Sequence, residues 1–417
     1  MGSAYFREFR LHWPNLLGSA LGLAFGMAIN QYILNLFGPA MIAEFGWSKA
    51  QFALVGSFGI VGLVAMPIAG RIADRYGPRK AAMIGYAVVP ACYFAFSLMN
   101  GEIWQFYALT LVKGTVGILT TTMVFTRVVV ERFDSARGLA LSCLLSCTPL
   151  VGAIAAPIFG SVIETAGWRT AYQLMALVSL CGGLAAILLM GKSRGHGHAK
   201  VVAGPKMHWA ELRGMFGNRV FLLLLGGMFF CNIPQTLVYG QMSLMLAENG
   251  IPLSQSAALV SVYALCVVVG RFLCGFALDK ISPHVVAVFA LGPPAFAYVA
   301  IASGADAFAV LAGSIAVIGL AQGAETDVAA YLTSRRFALA HYSFIFSLLM
   351  VGSGLASAIG SVVMSMTLAG TESYDTFLYI AALATIGGAL CFYFTGGRAQ
   401  PEVADDQLLA ARLASAD

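Results

Sequence analysis

The sequence predicts an all-α integral membrane protein with twelve spanning helices in two pseudo-symmetric six-helix bundles. Three observations lead there. The 417 residues are 59% hydrophobic and only 10% charged, with mean hydropathy +0.83, whereas a soluble domain carries about 25% charged residues. Apolar runs of about 20 residues recur along the chain, each long enough to cross ~30 Å of hydrocarbon. The two halves also repeat one another. Ser48 precedes Gly70-Arg71-Ile72-Ala73-Asp74, and at an offset of about 205 Ser254 precedes Gly275-Phe276-Ala277-Leu278-Asp279.

The spans are expected near 16–37, 52–71, 82–99, 105–129, 138–163 and 169–190, then 219–246, 256–278, 284–303, 307–332, 342–366 and 375–395. Short links carry turn signals such as Tyr76-Gly77-Pro78 and Asn249-Gly250. The exception is 191–218, polar and containing Gly195-His196-Gly197-His198, which reads as a cytoplasmic linker between an N-terminal bundle (1–190) and a C-terminal bundle with a short tail (219–417). Trp209, Leu212, Met215 and Phe216 suit one apolar face of a short surface helix in that linker. His196, His198 and His208 read as loop residues, and no metal or other cofactor is expected. The first apolar run is too long for a signal-peptide core, so no cleavable leader is expected.

Basic residues orient the chain. With both termini cytoplasmic, 19 of the 24 Lys and Arg residues fall in cytoplasmic segments or helix ends, against Lys49 and Arg169 outside. That bias is the positive-inside pattern of a multi-pass inner-membrane protein, and it accounts for the net charge of +5 without nucleic-acid binding. Eight cysteines all lie inside apolar runs and read as small packing residues. Gly152, Ala156 and Gly160 in the fifth span and Gly352, Ala356 and Gly360 in the eleventh recur at i, i+4, i+8, a spacing that lets helices approach closely.

The loop after the second span reads Gly70-Arg71-Ile72-Ala73-Asp74-Arg75-Tyr76-Gly77-Pro78-Arg79-Lys80, with a weaker copy at Gly275 to Lys280. It resembles the major facilitator signature, with a Pro inserted before the basic pair. Gly70 permits close helix approach, and Asp74 suits the positive N-terminus of a neighbouring helix. Arg75 is expected to pair with Glu131. Together with Gly77 and Asp279 these residues form an expected conformational latch, made in one state and broken in the other.

Four shorter stretches resemble the monocarboxylate and oxalate/formate branch of the superfamily: Glu44-Phe45-Gly46-Trp47-Ser48, Phe125-Thr126-Arg127, Gly270-Arg271, and Gly323-Ala324-Glu325-Thr326-Asp327. The resemblance implies transport of small organic anions, often with a proton, and an arginine of the eighth span, here Arg271, at the substrate carboxylate. This chain departs from the branch at two places, with Val267 where some members carry an acid and Gln31 where some carry a lysine. An oxalate exchanger's lysine in the eleventh span is also absent.

Charge inside a span costs about 2.5–3.5 kcal/mol on insertion scales and marks function. Arg271 stands eight residues before Asp279, roughly 12 Å into the membrane. Its planar fork suits a carboxylate. Glu325 and Asp327 are candidate proton carriers, because a carboxylate held in hydrocarbon favours its neutral form. Two residues apart on a helix, they cannot both face one cavity, so one is expected to line it while the other pairs with Arg271 or Arg127. Arg127 is a further substrate candidate that can also snorkel, and Lys113 reads as a structural residue turned toward the outside. The resemblance puts spans 1, 4, 7 and 10 around the cavity. Asn30, Gln31, Tyr32, Asn232, Gln235 and Tyr239 then become candidate substrate contacts. The expected activity is secondary transport of a small organic anion by a monomer in the lipid bilayer, with a proton as the coupling candidate. The alternatives are a proton-driven exporter of hydrophobic or cationic compounds, and a non-transporting sensor. No nucleophile–base set, nucleotide loop or metal cluster points to an enzyme.

Overall fold

The computed structural model describes residues 2–133, 136–191, 216–278, 280–304, 307–337 and 339–396. Most of the expected linker, with its histidines and Trp209 to Met215, lies outside the described residues, as does Asp279.

The helices are α1 (Gly2–Phe25), α2 (Asn30–Phe45), α3 (Lys49–Leu54), α4 (Gly59–Tyr76), α5 (Pro78–Ser97), α6 (Ile103–Val116), α7 (Thr122–Arg132) and α8 (Arg137–Leu189). They continue as α9 (Arg219–Asn232), α10 (Met242–Glu248), α11 (Leu253–Leu278), α12 (Pro283–Leu291), α13 (Pro294–Ala302), α14 (Phe308–Arg336), α15 (Leu339–Thr371) and α16 (Asp375–Phe394). Among the described residues ten helical stretches are long and apolar enough to cross a membrane, and the bent pair formed by α1 and α2 makes eleven. One of the ten, Ala140–Leu189, runs for 50 residues. It turns back at Gly167, whose φ of 83° is open to glycine at little cost. That turn makes twelve crossings. Large apolar side chains face outward along them, including Phe296 (81% exposed) and Phe289 (77%), as lipid contact requires.

The first span departs from the expected straight run over 16–37. Phe6–Phe25 and Met27–Phe45 meet at 48°. The cause is local. Gly26 leaves the helical region (φ −82°, ψ −150°), and a Cβ there would lie 2.6 Å from the Thr120 carbonyl oxygen. The Met27 N–H freed by the bend donates to Thr120 Oγ1 at 2.9 Å. Thr120 belongs to a second break, the 3₁₀ turn Gly117–Thr120 that divides the fourth span into α6 and α7. The seventh span breaks at the position that the repeat predicts, since Asn232 to Pro234 stand 205 residues beyond Met27 to Ile29. There α9 gives way to the π-helical turn Leu237–Gln241. Broken helices at membrane depth are tolerated where neighbours re-satisfy the backbone or a cavity is lined.

The turns at Gly46, Gly101, Gly167, Gly250 and Gly304, all with positive φ, follow the first, third, fifth, seventh and ninth spans and so share one face of the bundle. The halves are tied together at that face. Lys49 Nζ bonds Glu248 Oε2 at 2.6 Å and the Glu372 carbonyl at 3.2 Å. Glu164 accepts from the Ser254 N–H at 2.8 Å. Asn35 accepts from Ser243 Oγ at 2.9 Å. One buried cluster there draws on both halves, with Phe37, Phe52 and Trp168 against Leu244, Met245 and Tyr374. Away from that face the buried apolar residues form two separate clusters. One lies around Phe125 and Phe133 of the first half. The other lies around Phe221 and Val328 of the second. The molecule is therefore sealed at the Lys49–Glu248 face.

The residues 44–48 belong to this seal. Glu44 pairs with Arg169 and accepts from Trp168 Nε1 at 2.6 Å. Trp47 Nε1 donates to the Gly101 carbonyl at 2.6 Å, and Ser48 forms a capping box with Gln51 that starts the second span. The small residues of the repeat act in packing. A Cβ on Gly152 would strike Tyr32, one on Gly160 would meet Ala257 of the other half, and one on Gly360 would lie 2.2 Å from the Ile233 carbonyl oxygen.

Candidate functional site

A cavity of about 750 Å³ lies between the halves, at the level of the helix breaks. That volume suits a small organic molecule. All six neutral polar residues expected from the sequence line it, within about a turn of a break: Asn30, Gln31 and Tyr32 from the first span, Asn232, Gln235 and Tyr239 from the seventh. The breaks explain their placement. Asn30 opens α2 directly after the first bend, and Tyr239 lies in the π-helical turn. The 205-residue offset pairs Asn30 with Gln235 and Met66 with Arg271, and all four line the cavity.

Arg271 reaches the cavity from α11. Close packing puts it there. A Cβ on Gly270 would stand 2.1 Å from the Leu320 carbonyl oxygen, and one on Gly323 2.0 Å from that of Val267, so α11 and α14 touch backbone to backbone. The Arg271 Nε lies 3.7 Å from Asp327 Oδ2, an ion pair too long for a hydrogen bond. That buried Nε has no hydrogen-bond partner. The guanidinium is thus held beside an acid with donor capacity left over.

The two acids separate in the way the helical rotation requires, and Asp327 is the one that pairs with Arg271. The expectation that the other lines the cavity is corrected: Gln322 and Thr326, one turn apart on α14, form that wall. Glu325 is 4% exposed and sits behind the wall. Asn232 Nδ2 donates to its Oε1 and also to the Met228 carbonyl at 2.7 Å. Asn232 therefore stands between the cavity and Glu325.

Arg127 is not brought to the cavity. Its Nε bonds Glu131 Oε1 at 2.8 Å, one turn along α7. That bond also corrects the expected partner of Arg75, whose guanidinium lies over the Tyr76 ring at 5.6 Å. Gly77 (φ 85°) makes the turn between α4 and α5. Gly70 and Asp74 lie on α4, but their side-chain environments, like all of Asp279, fall outside what is described.

Lys113 is the residue that sequence reasoning missed. It does not turn outward. It is 4% exposed, lines the cavity and donates to Asn30 Oδ1 at 3.2 Å. Its Nζ rests 5.5 Å from the Tyr93 ring centre and 5.1 Å from that of Phe96. The available signal was depth. Lys113 stands ten residues after Ile103, about 15 Å along the helix. That is too far for a short reach to the surface. Such a charge costs about 2.5–3.5 kcal/mol on insertion scales, which the ring faces offset only in part.

The charge of the lining follows. Its described residues include two cations, Lys113 and Arg271, one from each half, and no aspartate or glutamate. A membrane bundle with a central cavity between two repeats fits the architecture of a secondary transporter.

Comparison with known proteins supports that class. The sequence profile of the Major Facilitator Superfamily matches residues 20–246 and 224–412, and the chain belongs to that family. It is a multi-pass membrane protein of that superfamily. It is 29% identical to the 3-(3-hydroxyphenyl)propionate transporter of Escherichia coli over 63% of this chain and 65% of that one. It is 24% identical to monocarboxylate transporter 13 of Rattus norvegicus (59% and 56% covered). It is 23% identical to the multidrug resistance protein MdtL of Klebsiella pneumoniae (64% and 67%). The aligned part thus spans about two thirds or less of these relatives. In fold the chain resembles a variant of the nucleoside transporter NupG, with TM-score 0.74 at 13% identity over 92% of this chain and all of that one.

Proposed function

We propose that this transporter moves a small organic anion, a carboxylate, across the inner membrane by alternating access of two halves, 1–190 and 219–417, joined by the 191–218 segment. The observation that carries this reading is the cavity charge: two cations and no carboxylate among its described lining residues. A permanently charged arginine fork binds a carboxylate at two oxygens without any change of protonation. The names of two relatives, a hydroxyphenylpropionate transporter and a monocarboxylate transporter, agree with such a cargo. The similarity to a multidrug resistance protein raises export of cationic compounds as the second reading. A cavity selecting cations needs exposed acids, and Glu325 and Asp327 stand outside the lining. A thermal-shift screen of the purified protein against carboxylates, amines and drugs tests the choice. Stabilisation by carboxylates alone is expected, and stabilisation by amines alone would overturn it.

In this proposal the protein works as a monomer, with both termini cytoplasmic. A thiol introduced at Gly197, in a variant without native cysteines, should react with impermeant reagents only from the inside. Labelling in intact cells would reverse the orientation. The Lys49–Glu248 seal then closes the outer face.

The proposal keeps the latch of Gly70, Asp74, Arg75, Gly77 and Asp279, resting on the repeated motif. Asp74→Asn should slow transport while leaving substrate affinity nearly unchanged, because it alters the balance between states and not the site. Lost binding with unchanged interconversion would count against the latch.

A further inference from the structure

We infer that Lys113 is a second ligand-binding group, taking an oxygen acceptor at the end of the substrate remote from the carboxylate held by Arg271. The inference rests on the carboxylate reading above and narrows it to an elongated molecule with two oxygen-bearing ends.

A lysine has three N–H donors and no acceptor. At Lys113 one donor goes to Asn30 Oδ1. Two ring faces approach without accepting a conventional hydrogen bond. Among the described residues no carboxylate forms a salt bridge with it. A buried ammonium with donor capacity left over, set in the wall of a ligand-sized cavity, is arranged to receive an acceptor from the cavity.

Its position relative to Arg271 sets the ligand's shape. Both depths can be counted from the sealed face. Lys113 is ten residues from the start of α6, about 15 Å, and Arg271 eighteen residues from the start of α11, about 27 Å. The cations therefore differ in depth by about 12 Å along the membrane normal, and long side chains shorten the gap. They also belong to different halves. A ligand touching both bridges the bundles, so its binding energy acts on their relative position. The wall between them is apolar and neutral polar, including Tyr32, Tyr239 and Tyr263. It suits an aliphatic or aromatic body.

The test uses three matched ligands: 3-phenylpropionate and its ring-hydroxylated and ring-carboxylated forms. Affinities are measured on the purified full-length protein. The parent should prefer at least one oxygenated ligand by about tenfold or more, because a site built for a hydrogen bond leaves its donor unmet by the plain ligand. Lys113→Met, apolar and of similar length, should abolish that preference, so that the oxygenated ligands bind no more tightly than 3-phenylpropionate. Arg271→Ala should weaken all three. Equal binding of the three ligands by the parent would overturn the inference and leave the carboxylate reading standing. Preference retained in folded Lys113→Met would also overturn it. Binding of none of them by the parent would sink both readings. Should Lys113→Met fail to fold, Lys113→Leu removes the donors with a shorter apolar side chain, and the same loss of preference is required of it.

Discussion

Arg271→Ala is expected to abolish carboxylate binding. Removing one partner of a desolvated charge pair costs ~2–5 kcal/mol, enough to carry a micromolar ligand toward or beyond the millimolar range. Arg271→Lys keeps the charge but loses the fork, and should weaken binding by about tenfold, ~1.4 kcal/mol. Folding is the confounder, since Asp327 lies 3.7 Å from the Arg271 Nε and would be left alone. The double variant Arg271→Ala/Asp327→Asn removes both charges and separates the two effects. Binding is measured on monodisperse protein with melting temperature recorded beside it. A folded double variant that binds as tightly as the parent would make Arg271 a structural residue.

Glu325→Gln is expected to abolish pH-driven accumulation while preserving exchange of labelled for unlabelled substrate. Glu325 is almost fully buried and has no salt bridge among the described residues. Its contact is the Asn232 amide, which itself lines the cavity. Glutamine mimics the protonated acid in shape and neutrality, so the carrier should cycle loaded but no longer take up or release a proton. Asp327→Asn separates the two acids. If Asp327 carries the proton, that variant alone loses accumulation. Normal accumulation at acidic outside pH in both variants would remove the pair from the mechanism.

The two halves of this reading were legible to different degrees. Arg271 stood out because an arginine eight residues inside a helix end has no ordinary reason to be there. Its pairing with Asp327 was within reach too, because helical rotation separates Glu325 from Asp327 by about 200°. Which acid took which side was not. The rotation of α14 depends on the Gly270 and Gly323 contacts, where backbone meets backbone across two helices. Arg127 lies away from the cavity for a similar reason. Glu131 stands one turn away and captures it locally.

Lys113 shows the limit most clearly. The sequence put a lysine in a span but could not say that two broken helices would meet there. Gly26 and Gly117 are unremarkable alone, yet the bend at one is held by Thr120 from the other, and Asn30 is thereby brought to Lys113. The sequence by itself determined the twelve crossings, the two-fold repeat and the family signature, because hydropathy, loop charge and spacing are local properties that lipid enforces residue by residue. Only the tertiary structure decided which face is sealed, which acid sits behind the wall and that two cations share one cavity. Those outcomes depend on how distant helices pack, where a rotation of one residue, about 100° of helix, moves a side chain from cavity to core.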